Sequence, residues 1–138
     1  MRFRALAVTS LVVLALLAVA AADEFPMKAS DAVPAATGKI KADTDRNGNT
    51  ALELKFEHLA PPDRLNPAKT TYVVWAKPSE DRPPEKLGVV RVNPEDMAAT
   101  VKATVPYKKF DVLVTAEDNA NVDHPSGTEV LRGFVDKK

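Results

Sequence analysis

The most informative absence in this sequence is cysteine. The 138 residues contain none, which excludes disulfides, Cys-based zinc motifs and a lipid attached through a cysteine thiol. Histidine is scarce as well, because His58 and His124 are the only two and their spacing is not that of a His-x-x-x-His metal motif. We therefore expect no cofactor, and we expect any folded domain to be stabilised by packing alone.

An excess of charge of either sign is also missing. Lys plus Arg and Asp plus Glu both number 19, so the formal net charge is 0. A chain without a basic excess has no electrostatic reason to bind nucleic acid or an anionic membrane surface. We expect no nucleic acid among its partners.

The first 22 residues have the layout of a secretory signal peptide. Arg2 and Arg4 precede an apolar run over residues 5–22, and Asp23 begins the polar part of the chain. The run ends in three alanines, and small residues are what signal peptidase requires, so we predict cleavage after Ala22 and a secreted or periplasmic product. The alternative is an uncleaved membrane anchor, since about 18 apolar residues are just enough to span a bilayer.

Residues 23–37 contain Pro26 and Pro34 among small and polar residues, a composition that predicts a flexible lead-in or at most a short edge strand. Residues 38–138 are predicted to form one domain of short strands, because apolar and polar residues alternate there between turn-forming residues. A hairpin through Asn47 and Gly48 joins the first two strands. The seven predicted strands cover residues 38–43, 50–59, 70–78, 86–93, 98–105, 110–116 and 129–136.

Seven short strands without a helical period predict an all-β fold, a seven-stranded immunoglobulin-like β-sandwich following the signal peptide. The strand at residues 70–78 is apolar on both faces and holds the only tryptophan, so we expect it to be central and to bury Trp75 between two layers. The predicted core residues are Trp75, Tyr107, Phe56 and Phe110, with Tyr107 in the place of a tyrosine corner.

Five stretches, at residues 72–76, 87–92, 114–117, 125–127 and 130–133, together resemble the extracytoplasmic C-terminal domain of anti-sigma-K factor proteins. The resemblance covers roughly residues 70–135. In that family a zinc-binding cytoplasmic domain holds the sigma factor, but only Met1 to Arg4 precede the predicted signal here and cysteine is absent. The resemblance therefore implies a free-standing exported relative of the outer domain and does not extend to sigma-factor binding.

Asp43, Asp45 and Asn47 fit the first half of a calcium loop, in which oxygen ligands alternate ahead of a glycine. The second half does not fit, because position twelve is Leu54 where such loops have a bidentate Glu. The same residues suit a hairpin turn. We prefer the turn and keep calcium as the alternative.

A second oxygen-rich stretch follows the predicted sixth strand, and a solvated loop is its simplest interpretation. In a seven-stranded sandwich it lies with residues 60–69 and 94–96 at one end, opposite the 43–49 turn. By analogy of fold alone, these three loops are the expected recognition surface. The candidate ligand-binding residues in the stretch are Glu117, Asp118, Asn119, Asp123 and His124.

Asp123, His124 and Ser126 contain the residue types of a hydrolytic triad, but neighbours in one loop rarely adopt its geometry. We therefore predict a non-enzymatic exported binding domain whose partner is a protein, an envelope component or a small molecule. The alternatives are a calcium-stabilised structural or adhesion module and, less favoured, a hydrolase. The oligomeric state stays open, and membrane contact is expected only if the signal is uncleaved.

Overall fold

A computed structural model describes residues 22–138. The predicted signal peptide lies outside the described residues except for Ala22. Eight β-strands and one short 3-10 helix, Pro62–Arg64, make up the described chain. The strands are β1 (Asp23–Ala29), β2 (Thr37–Thr44), β3 (Thr50–Glu57), β4 (Thr71–Lys77), β5 (Glu85–Val90), β6 (Ala99–Val105), β7 (Lys109–Glu117) and β8 (Thr128–Asp136).

All eight strands belong to one antiparallel sheet in the order β5-β4-β7-β8-β1-β2-β3-β6. The two edge strands, β5 and β6, approach each other without hydrogen-bonded pairing, so the sheet is nearly barrel-shaped. A methyl group built on Gly88 of β5 would lie 3.7 Å from Val101 of β6. The all-β prediction is confirmed, whereas seven strands in two sheets are not what the structure has.

The eighth strand lies where a flexible lead-in, or at most a short edge strand, is predicted. A strand is present, but it pairs on both sides and is therefore not an edge strand. β1 pairs with β2 from Asp23 to Met27 and with β8 from Met27 to Ala29. Pro26 is tolerated because β1 has no partner on the β8 side at that residue, so no ladder hydrogen bond is lost there. Proline and alanine have low strand propensity, so the local sequence predicts β1 only weakly. The place of β1 in the sheet depends on its distant partner β8.

The interior of the sheet is a single apolar core. Alternation along each strand directs one row of side chains inward, and β4 contributes Tyr72, Val74 and Ala76, none of them exposed. The largest other buried members of this core are Phe56, Phe110, Ile40, Leu54, Leu59 and Leu131. The predictions for Phe56 and Phe110 are therefore confirmed.

Trp75 is buried, as predicted, but not between two layers. It belongs to a separate outer cluster, which we define as Val73, Trp75 and Leu113, on the face of the sheet opposite the main core. The indole has no exposed surface. Because both rows of β4 are apolar, the sequence pattern cannot tell which row faces inward.

Tyr107 is only partly buried, at the edge of the main core. Its ring centroid lies 6.4 Å from that of Phe110, and the guanidinium of Arg82 lies 5.8 Å from its ring centroid. Its hydroxyl donates a hydrogen bond to the Glu85 carboxylate, whereas a tyrosine corner bonds to backbone. The tyrosine-corner prediction is therefore wrong.

No helix in residues 22–138 has the length and apolar character needed to cross a membrane.

Candidate functional site

The connection between β7 and β8, which we call the strap (residues 118–127), folds over the outer cluster. The row of β7 that points away from the main core consists of Asp111, Leu113, Thr115 and Glu117. The last three of these residues are buried. Val122 of the strap packs against the outer cluster. The strap thus buries an outward row that solvent would otherwise contact.

Glu117 anchors the strap. Its side chain is buried, with only 1% of the residue exposed, and its Oε1 accepts a hydrogen bond from the Ser126 hydroxyl at 2.6 Å. Its Oε2 accepts from the Thr115 hydroxyl at 2.5 Å and from the Ser126 backbone N–H at 3.2 Å. A buried carboxylate is costly unless it is hydrogen-bonded in this way.

The protonation of Glu117 follows from the same contacts. Burial alone would raise the pKa of this carboxyl. Hydrogen bonds from the Ser126 and Thr115 hydroxyls and from the backbone N–H groups of Gly127 and Ser126 favour the ionised form, so the pKa is lowered from its ordinary value of 4.5. Glu117 is therefore an acceptor near neutral pH and has no proton to donate to a ligand.

The indole is tied to this anchor. Trp75 Nε1–H donates to Thr115 Oγ1 at 2.8 Å, and the Thr115 hydroxyl donates in turn to Glu117. No buried side-chain nitrogen or oxygen in residues 22–138 lacks a hydrogen-bond partner. The network from Trp75 to Glu117 is thus complete within the protein, and it stabilises the strap without presenting a free polar group to a ligand.

Lys86 of β5 holds the middle of the strap. Its ammonium group donates to the backbone carbonyl oxygens of Ala120 and Val122, the second at 3.3 Å. At Asp118, the first residue of the strap, the carboxylate lies 3.5 Å from the ammonium group of Lys69. This surface ion pair contributes little to stability. Sequence reasoning missed Lys86, Thr115 and Ser126 as strap contacts. The signal for Thr115 was its outward position next to Glu117 in the β7 alternation.

The predicted ligand-binding residues divide into one anchor and an exposed group. Glu117 is buried beneath the strap, whereas Asp118, Asn119, Asp123 and His124 are exposed. Asp123 Oδ1 lies 2.6 Å from His124 Nδ1, and the hydrogen bond with that histidine lowers the pKa of Asp123. The structure brings these four residues onto one exposed strap but does not direct the anchor toward the same surface.

The residues of the suggested triad do not assemble. The Ser126 hydroxyl donates to Glu117, and the His124 ring contacts Asp123. A nucleophilic serine needs a hydrogen bond to its general base, and in the described part of the chain Ser126 makes no such bond to His124. The Ser126 hydroxyl is thus held by Glu117 and not by His124.

The turn at residues 43–49 satisfies its own polar groups. Asp45 Oδ1 accepts the backbone N–H groups of Asn47 and Asn49, both at 2.9 Å, and Gly48 has φ of +79°, as a tight hairpin requires. Asp43 accepts from the Thr44 backbone N–H at 2.9 Å. Among residues 22–138, no group of three or more His, Cys, Asp or Glu side chains is placed to hold a metal ion.

The predicted distribution of loops agrees with the register of the sheet. Glu117 pairs with Thr71 at the start of β4, and the backbone N–H of Leu59 bonds to the carbonyl of Met97. The strap, residues 58–70 and residues 91–98 therefore lie at one end of the sheet. The 43–49 turn lies at the other end, because Thr50 pairs with Val105 at the end of β6.

A groove that sequence reasoning did not anticipate runs along β1 and β8. It encloses about 650 Å³ and is lined by both strands, with Asp111 of β7 at its side. Phe134, 49% exposed, is the exposed large hydrophobic residue of the described chain and contributes to the lining. The sequence feature that could have revealed this groove is the position of Phe134 in β8, two residues after Arg132 on the outward-facing row.

Comparison of the sequence with protein-family models and with curated proteins finds no match.

Proposed function

We propose that this chain is an exported, non-enzymatic binding domain that recognises a protein or envelope component through the loops at one end of its sheet. The observation that carries the proposal is the anchored strap, which presents exposed carboxylates from a backbone fixed at Glu117. Fixing a recognition loop before binding reduces the conformational entropy that binding would otherwise cost. Loops on a rigid scaffold are where binding residues concentrate.

The charge of the strap defines the partner surface that it fits. Asp118 and Asp123 are 76% and 92% exposed in their side chains, and both project from the same ten-residue segment. A cationic partner surface would approach these groups favourably, and the effect would weaken with salt. Lys69 forms an ion pair with Asp118 at 3.5 Å, but a surface pair of this kind is weak and leaves the carboxylate accessible.

Export is part of the proposal and rests on residues 1–22, with cleavage after Ala22 and a secreted or periplasmic product. The likeness of residues 70–135 to the outer domain of anti-sigma-K factor proteins supports a free-standing relative of that domain. None of these arguments depends on catalytic chemistry in the strap.

The test is a comparison of charge reversals at opposite ends of the sheet. Mature protein is immobilised and exposed to solubilised native envelope, and bound material is identified by mass spectrometry. Asp118→Lys with Asp123→Lys should abolish capture of the specific partner. The matched control, Glu80→Lys with Asp81→Lys in the exposed loop before β5, changes the net charge equally and should leave capture intact. Equal capture by both variants would refute end-loop recognition.

The calcium-stabilised module stays a prediction based on Asp43, Asp45 and Asn47. No feature of the described residues favours it over the hairpin turn, and its test is given in the Discussion.

A further inference from the structure

The outer cluster is unusual for its position. In the neighbouring half of the sheet the outward positions carry charged side chains, among them Lys39, Lys41, Glu53, Lys55 and Lys102. An antiparallel sheet with one wet face is expected to look like this. On β4 and β7 the outward row instead carries Val73, Trp75 and Leu113, which are 0%, 0% and 6% exposed. Without the strap, these three side chains would form a continuous apolar platform on the surface.

The strap is fixed firmly at its ends and weakly in its middle. At its C-terminal end, Ser126 bonds to the buried Glu117, and Gly127 packs so closely that an added Cβ would lie 1.7 Å from the Ala116 carbonyl oxygen. In the middle, Val122 is only half-buried. The other attachment of the middle of the strap is the pair of hydrogen bonds that its backbone accepts from the ammonium group of Lys86. Segments with few buried apolar contacts open at low free energy, so the middle can lift while both ends stay in place.

The contacts of the strap define what the platform recognises. An aliphatic side chain, Val122, rests on the outer cluster, and two carbonyl oxygens two residues apart accept hydrogen bonds from Lys86. The indole N–H is already bonded to Thr115 at 2.8 Å, so Trp75 offers only its apolar surface. These are the features of a site for a short peptide segment.

We propose that the outer cluster, together with Lys86, is a peptide-binding platform, and that the strap occupies it as an internal substitute for a segment of a partner chain. The partner segment presents an aliphatic side chain to Trp75 and backbone carbonyl oxygens to Lys86. Binding replaces the middle of the strap while Glu117 keeps its ends attached. The platform is distinct from the exposed carboxylates of the strap, so this proposal does not rest on end-loop recognition.

The test uses a peptide copy of the strap added in trans. The probe is an acetylated, amidated peptide with the sequence of residues 118–124, which contains no tryptophan, so emission reports Trp75 alone. Val122→Ser weakens the strap without changing the platform, and its Trp75 emission should move to longer wavelength. Saturating peptide should restore the original emission, whereas the emission of the wild type, whose own strap already covers Trp75, should not change when the peptide is added.

Three controls make the result specific. A peptide with Ser in place of its Val should leave the emission unchanged, and Val92→Ser, in a half-buried loop residue outside the outer cluster, should behave as wild type. Adding Lys86→Met to Val122→Ser should raise the Kd roughly thirtyfold, as expected for two lost hydrogen bonds. Should circular dichroism show that Val122→Ser is unfolded, a variant with residues 119–124 replaced by Gly-Ser-Gly takes its place. Failure of millimolar peptide to restore Trp75 emission in the folded variant, or equal binding of the Ser peptide, would overturn the proposal.

Discussion

Replacing Glu117 with alanine should destabilise the domain more than any exposed acidic substitution. The change removes the acceptor for the Ser126 hydroxyl and for the backbone N–H groups of Ser126 and Gly127. The Ser126 hydroxyl can turn toward water, but the hydroxyl of the buried Thr115 and the backbone N–H of Ser126 lose their acceptor where the strap meets the sheet. Leaving a buried donor unsatisfied costs about 1–3 kcal/mol, so we expect a loss of about 2–4 kcal/mol in the free energy of unfolding.

Urea denaturation followed by circular dichroism measures this loss, and thermal unfolding should show a fall in Tm of roughly 10 °C. The matched control is Glu57→Ala, because Glu57 is an exposed residue at the end of β3, and it should change the free energy of unfolding by less than about 0.5 kcal/mol. Trp75 emission adds a local measurement, since Thr115 links the indole to Glu117. Glu117→Ala with unchanged stability and unchanged Trp75 emission would refute the anchoring role of this carboxylate.

Three further predictions concern pH, the hairpin turn and the glycines. The folded-state pKa of Glu117 lies below its ordinary 4.5, so the stabilisation by this carboxylate is complete above pH 4.5 and is lost as pH falls through the folded-state pKa. The difference in unfolding free energy between wild type and Glu117→Gln should therefore shrink in acid. A difference that stays constant with pH would contradict this role of Glu117. Asp45→Ala should lower the free energy of unfolding by about 1 kcal/mol, because its carboxylate accepts two backbone hydrogen bonds in the turn. The Tm of the wild type should not change with calcium or EGTA. A rise in Tm with calcium that Asp45→Ala abolishes would instead establish the calcium module. Gly127→Ala should disrupt the strap, because the added Cβ collides with the Ala116 carbonyl oxygen. Gly48→Ala should lower the free energy of unfolding by only about 1–2 kcal/mol, because the turn there is open and only the φ of +79° is unfavourable. A larger loss for Gly48→Ala than for Gly127→Ala in urea denaturation would contradict the structure.

Local pattern was sufficient for most of the strands. The alternation of Leu52, Leu54 and Phe56 predicted β3 and its buried face, and Asn47 with Gly48 predicted the hairpin before it. Both depend on neighbours in the chain, so they can be derived from short segments. β1 was predicted at most as a short edge strand, because its strand character comes from pairing with β2 and with β8, at the other end of the sequence.

The candidate site was predictable in composition but not in geometry. The oxygen-rich residues 117–124 were identified from the sequence, yet nothing local distinguishes the buried Glu117 from the exposed Asp118 beside it. The distinction arises because Glu117 ends the outward row of β7, where Ser126 and Thr115 can reach its carboxylate. Lys86 was missed for the same reason, since it lies 34 residues from Ala120 in the chain.

The sequence by itself determined an all-β domain, its turns, and the burial of Phe56 and Phe110, because a period of two and the turn-forming residues act over a few positions. It also determined that β4 is apolar on both faces and therefore buried on both. Only the tertiary structure decided that Tyr72 faces the main core and Trp75 the strap. Two apolar rows on one strand are equivalent until the remaining strands curve around one of them, and that curvature depends on pairings between residues far apart in the chain.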